Sequence, residues 1–192
     1  AVNCIPIAGL YSLEQVPETL EGFDDPACFS RFCAANPWLA RELDYADHVV
    51  VNGEGSLHGL NDHVRGLLYV TYAAKLHMGR DVQIVNHSCY PCSGDEASES
   101  AAWRLYRKVY AAVDFVAIRE PASLGLMTRA GIQAVQAFDC LPLTIARAYV
   151  PTGERRNDEI VIAGSVAHRE PDLAGWVEFV HGSVARGLRV RA

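Results

Sequence analysis

Apolar and polar positions along this chain follow two alternating periods, and the switches between them lay out the elements. Residues 49–51 are a β-branched run too short for a helix, and the run stops at Asn52-Gly53-Glu54-Gly55-Ser56. An apolar run ended by glycine predicts a buried parallel strand over 48–52 that hands over to a tight turn. Asn61 and Asp62 offer helix caps. Val64, Leu67, Leu68, Val70, Ala73, Ala74, Leu76 and Met78 then recur all round a helix over 62–78, with Arg65 and Lys75 as a narrow polar side. Gly79 reads as its left-handed cap.

The pattern repeats downstream. Strands are predicted over 82–86, 115–119 and 134–137, and helices over about 96–113, over 121–130 (opened by Pro121 and closed by Gly131) and over 141–149. Upstream, residues 2–7 read as extended, with Pro6 marking an edge or a strand end. Residues 11–37, broken by Pro17, Pro26 and Pro37, read as surface loop with short helical turns, and 38–45 as the end of a helix. This β-α-β-α-β-α-β succession predicts an α/β fold: a doubly wound, mostly parallel, Rossmann-like sheet with helices on both faces. The predicted domains are 1–150, a linker of breakers and charges over 151–158, and a second α/β unit over 159–192. That unit would hold a strand at 160–164, a helix at 171–186 and a strand at 188–191. The chain opens without Met and stops just after a new strand, so the expectation is a piece incomplete at both ends.

Composition narrows the function classes. A chain of 192 residues, half of them hydrophobic, can bury a sizeable core. A net charge of -6 with no basic block argues against a nucleic-acid surface. No apolar run reaches the roughly 20 residues that span a bilayer. Six scattered cysteines show no disulfide framework, which favours a reducing compartment and a cytoplasmic location. Cys89 and Cys92 form a lone C-x-x-C; a zinc site would want a second pair, so they read as two loop thiols and no metal is expected.

Candidate chemistry gathers at one edge. Gly53, Gly55 and Gly59 are spaced one residue longer than the dinucleotide fingerprint, and no Gly-Lys-Ser/Thr follows, so neither nucleotide motif is present. Gly53 and Gly55 could simply permit a tight turn. Asn52, Glu54, Ser56 and His58, however, crowd the same rim. The four predicted strands end at Asn52, Asn86, Arg119 and Asp139. Ligands of open α/β sheets bind outside the carboxyl ends of the strands. A guanidinium there grips carboxylate or phosphate in a fork, unless Arg119 merely pairs with Glu120 or another acid. His58 and His87 lie in the same loops and could move protons near neutral pH.

These residues resemble the polysaccharide pyruvyl transferase family. The likeness rests on Asp47-His48-Val49-Val50-Val51-Asn52-Gly53-Glu54-Gly55-Ser56-Leu57-His58, on Val85-Asn86-His87-Ser88, and on Val116-Ala117-Ile118-Arg119-Glu120-Pro121-Ala122-Ser123 with Leu126 and Gly131 after it. Phe138-Asp139 stands where the family has an acidic strand end. The resemblance covers roughly residues 46–145. It implies the N-terminal half of a two-domain fold like that of the B-type glycosyltransferases. It also implies a transferase that moves the enolpyruvyl group of phosphoenolpyruvate onto a pair of sugar hydroxyls as a ketal, in the assembly of a cell-surface polysaccharide or cell-wall glycan. The donor is then a substrate and no cofactor is expected. The partners are a glycan acceptor and phosphoenolpyruvate, and the full-length protein could lie peripherally on a membrane. Arg119, Asp139 and Glu54 are the implied catalytic residues. Asn52, Gly53, Gly55, Ser56, His58, Asn86, His87 and Ser123 are the implied substrate contacts. The chain departs from the family in lacking its upstream strand and glycine turn, and His168 and Arg169 match no donor-site motif. A nucleotide-sugar glycosyltransferase and an inactive glycan-binding module are the rival readings.

Overall fold

The computed structural model describes residues 4–5, 7–90, 100–148, 158–161 and 173–191. It divides into two compact units, residues 1–147 and 148–192. The first described element is a 3-10 helix (Ile7–Ser12), and much of the extended stretch expected over 2–7 lies outside the described residues; three helices follow, α1 (Leu20–Asp24), α2 (Pro26–Ala35) and α3 (Pro37–Tyr45). Thr19 caps α1 by accepting from the Gly22 N–H, and Asp25 caps α2 by accepting from the Ala27 N–H. Pro26 and Pro37 each sit in the first turn of a helix, where the missing N–H is no loss. Two of the three prolines that suggested loop are therefore helix starters, while Pro17 lies in the loop before α1.

β1 (His48–Glu54), α4 (Asp62–Leu76), β2 (Asp81–His87), α5 (Ala101–Ala112), β3 (Phe115–Ile118), α6 (Pro121–Arg129), β4 (Val135–Gln136) and α7 (Leu141–Ala148) follow. The four strands are parallel and lie in the order β1-β2-β3-β4, with Val49 beside Val82, Val51 beside Ile84, and Ile84 beside Val116. This is the expected α/β class, but the order lacks the reversal of a doubly wound sheet. Right-handed crossovers that all step the same way place α4, α5 and α6 on one face. Among the described residues the opposite face is open: Val50 is 60 % exposed, and Phe115 and Val135 are exposed as well. Helices on both faces were expected; the described strands have them on one.

The helical side is two layers deep instead. The edges of Phe23 in α1 and Phe32 in α2 meet the Tyr69 ring of α4, each with ring centroids 4.9 Å apart. That second layer explains why α4 is apolar all round, with Val64 and every residue from 66 to 74 buried. Asn36, between α2 and α3, fastens the layer. It is 2 % exposed, its amide donates to the Glu14 and Phe32 carbonyls, and its side-chain oxygen accepts from the Glu14 N–H. Asn36→Ala takes these partners from the Glu14 N–H and carbonyl, while the Phe32 carbonyl keeps the residue-36 N–H, so a loss of about 2–3 kcal/mol is expected by urea denaturation.

The second unit contains β5 (Glu159–Val161), α8 (Leu173–Ala185) and β6 (Arg189–Arg191), with β5 and β6 paired in parallel. The linker expected over 151–158 lies outside the described residues except for Asp158, which pairs with Arg189. No described helix is long and apolar enough to cross a membrane.

Candidate functional site

β1 and β2 both leave strand geometry at the same level. Glu54 has φ 39°, and Asn86, the residue before Glu54's β2 partner His87, has φ 52°. Left-handed backbone costs a residue with a side chain about 1–2 kcal/mol, and such positions cluster where a site needs them. In β2 the turn breaks the inside-outside alternation, and the pairing with β3 shifts between Ile84 and His87. Asn86 thereby joins Asn52 on the outward-facing side of β1, its amide donating to the Asn52 side-chain oxygen at 2.8 Å. His87 is tucked inward.

From that pair a hydrogen-bonded rim runs along the carboxyl ends of the strands. Asn52 donates to Glu54 Oε1 (3.3 Å), and Asn86 Oδ1 accepts from the Cys140 N–H (3.3 Å). Asp139 accepts from the Leu141 N–H through Oδ1 (2.8 Å) and from Arg119 Nη1 through Oδ2 (3.0 Å). Arg119 Nε reaches Ser88 Oγ (3.0 Å). The four strand-end residues Asn52, Asn86, Arg119 and Asp139 are therefore together, with Glu54 at one end and Ser88 at the other. Arg119 pairs with Asp139, not with Glu120. Glu120 instead accepts from Ser123 Oγ (2.8 Å). Burial would raise its carboxyl, but hydrogen bonds from Tyr90, Ser88 and Ser123 and the nearby Arg119 charge outweigh burial and hold it below the ordinary range.

His87 and Ser123, expected to contact substrate, are fully buried and belong to the layer beneath the rim. Ser123 Oγ accepts from the Cys89 N–H (2.9 Å). His87 Nδ1–H donates to the Ala117 carbonyl (3.2 Å), which leaves Nε2 to accept from the Tyr110 hydroxyl (2.7 Å). The Tyr110 oxygen lies 3.6 Å from Cys89 Sγ. Burial pushes the His87 imidazole down to about 4 and the Cys89 thiol up to about 12, so both are neutral at pH 7. Cys92 lies outside the described residues. Among the described residues no three His, Cys, Asp or Glu side chains are grouped to hold a metal.

The His87 shift predicts a pH dependence. A base whose folded value lies below its unfolded value of 6.5 stabilises the fold fully above pH 6.5 and loses that contribution as pH falls toward 4. The loss amounts to roughly 3 kcal/mol. Chemical denaturation of His87→Gln should show a flatter stability profile than the parent between pH 6.5 and 5; equal slopes would refute the assignment.

Gly53 acts by lacking a side chain rather than by binding. A Cβ there would lie 2.6 Å from the His87 Cβ. Beyond it Ser56 N–H closes a turn onto the Gly53 carbonyl (2.7 Å), and His58 Nδ1–H donates to the Gly55 carbonyl (2.5 Å). The loop is pinned further on, where Gly59 N–H donates to the Tyr90 carbonyl and Tyr106 to the Gly59 carbonyl. Gly55, Ser56 and His58 make none of the rim's hydrogen bonds described above. They face a hollow of about 580 Å³ between this loop and the 3-10 helix.

Sequence reading missed Ser88, Tyr90 and Glu120. The available signal was the pair Glu120 and Ser123, three apart across a helix start at Pro121, where side chains meet. The rim as a whole carries three carboxylates (Glu54, Glu120, Asp139) against one guanidinium. Amides, hydroxyls and carboxylates on that rim can accept and donate to a polyhydroxyl ligand and can take a proton from one of its hydroxyls. Comparison of the chain with family models, with curated proteins and with solved structures finds no match to any of them.

Proposed function

We infer that this chain forms the acceptor side of a polysaccharide pyruvyl transferase, the N-terminal part of a fold of the B-type glycosyltransferase kind. The observation that carries the reading is the rim that runs by hydrogen bonds from Glu54 through Asn52 and Asn86 to the Cys140 N–H, and from the adjoining Asp139 through Arg119 to Ser88. Its formal charge supports the acceptor over the donor. Phosphoenolpyruvate brings a phosphate and a carboxylate, and a rim with three acids and one paired arginine repels both unless cations arrive from elsewhere. A neutral sugar suits it.

In this reading Asn52, Asn86 and Ser88 hold the sugar, and Glu54 takes the proton of the attacking hydroxyl. The donor carboxylate displaces Asp139 from Arg119, which frees Asp139 for the second hydroxyl. The enol carbon takes up one of the two hydroxyl protons, one hydroxyl oxygen bonds to the central carbon, the carbon–oxygen bond to phosphate breaks and phosphate leaves with the other proton, and the second hydroxyl oxygen completes the ketal. The test is to incubate the protein with phosphoenolpyruvate and cell-surface glycans and to measure phosphate release against ketal formation. Equimolar yields support the reading. Consumption of a nucleoside diphosphate sugar instead would make it a glycosyltransferase, and glycan binding with no donor turned over would make it an inactive module.

A further inference from the structure

The hollow beside the β1–α4 loop has two unlike walls. Leu10, Leu13 and Val16 make one apolar, while Ser56, His58 and Asn61 make the other polar. At about 580 Å³ it has the size of a small-molecule site. Much of the polar wall's capacity is unspent. Asn61 uses its oxygen to cap α4 at Val64 N–H, which leaves its amide protons; His58 uses Nδ1 on Gly55, which leaves Nε2. Between the walls Tyr11 stacks on His63 with ring centroids 4.1 Å apart and planes 12° from parallel. Tyr11 is 68 % exposed, so one face of its ring is open to a ligand. Neither ring nitrogen of His63 has a hydrogen-bond partner although both are shut off from water. Burial, and to a lesser degree the His58 charge, hold that imidazole below its ordinary value.

The chemistry of these walls selects among ligands. Among the described residues that line the hollow none is Lys or Arg, and Asp62 contributes an acid, so phosphate, carboxylate or nucleotide finds no counter-charge. An aromatic platform, an apolar side and a row of uncharged donors and acceptors match a pyranose, which has C–H faces and a hydroxyl edge. The hollow also adjoins the rim, since Glu54 belongs to the rim and Gly55 and Ser56 line the hollow.

We propose that this hollow is a second sugar subsite, which seats a neutral pyranose on Tyr11 next to the sugar held on the rim, so that the acceptor spans at least two sugar units. Its place in an acceptor site rests on the transferase reading; the binding itself does not. The experiment follows the histidine Cε1–H resonances of the full chain by NMR during titration with lactose, maltose and cellobiose, and with uridine monophosphate as a charged control. Saturable shifts of His58 and His63 with a disaccharide, with a dissociation constant of about millimolar order, are expected. Tyr11→Ala and Ser56→Ala should each weaken them by about tenfold, and Arg41→Ala, at an exposed position on α3 outside the lining of the hollow, should leave them unchanged. No shift at about 50 mM disaccharide, shifts that survive Tyr11→Ala, or a response to the nucleotide alone would overturn the proposal. Disaccharide binding in a protein that turns over no phosphoenolpyruvate would sink the transferase reading and leave the subsite standing. Transfer to glycan with no disaccharide response at these histidines would do the reverse.

Discussion

If the proposed transferase reading holds, Arg119→Ala should lower pyruvyl transfer by about 10²–10³-fold while leaving the protein folded. The guanidinium spans Ser88 and Asp139, and it is the group on the rim able to meet the donor carboxylate. Removing it takes away the cation and also releases Asp139 from its position. Stability should change little. The Arg119–Asp139 pair is partly solvent-exposed on both sides, and pairs of that kind contribute about 0–1 kcal/mol. Arg119→Lys keeps the charge without the two-pronged geometry and should fall between the parent and the alanine variant. Steady-state rates with phosphoenolpyruvate, read beside the melting temperature, check the claim. Near-parental turnover in a folded Arg119→Ala protein would remove Arg119 from the mechanism.

Gly53→Ala should be the most damaging single methyl in the sheet, at about 3 kcal/mol. The added carbon meets His87 Cβ at 2.6 Å and Leu57 Cδ1 at 3.2 Å. The first of these is the root of a side chain, so no rotamer change relieves it; β1 and β2 must part. Gly55→Ala, two residues on, meets nothing within 4 Å and should be near neutral. A cycle with His87→Gly separates this contact from general damage. If the two carbons collide, the double variant should be more stable than the sum of the single losses predicts. Additive losses by urea denaturation would mean that the contact is not what excludes a side chain at Gly53.

Part of this architecture was legible because parallel strands share their carboxyl ends. Once four strands were placed by periodicity, the polar residue after each had to lie on one edge, and Asn52, Asn86, Arg119 and Asp139 do. The burial of α4 was legible too, since its apolar positions leave no broad polar face. What escaped was decided by single backbone angles or by distant partners. A strand read with period two cannot show that Asn86 turns left-handed and exchanges its side with His87. Ser123 looks like rim chemistry until Cys89 N–H and Glu120 claim it from below. Pro26 and Pro37 have the same letter in a loop and in a first helical turn. The order β1-β2-β3-β4 is written nowhere locally, because each crossover could step either way.

That order bears on how the molecule is made. Every strand of the first sheet docks against the one synthesised just before it, so on a ribosome the layer can lengthen by successive additions, and no strand waits for a partner still to be translated. Both left-handed residues belong to the first two strands to pair, so that part of the rim can form before β3 and β4 bring Arg119 and Asp139 to it.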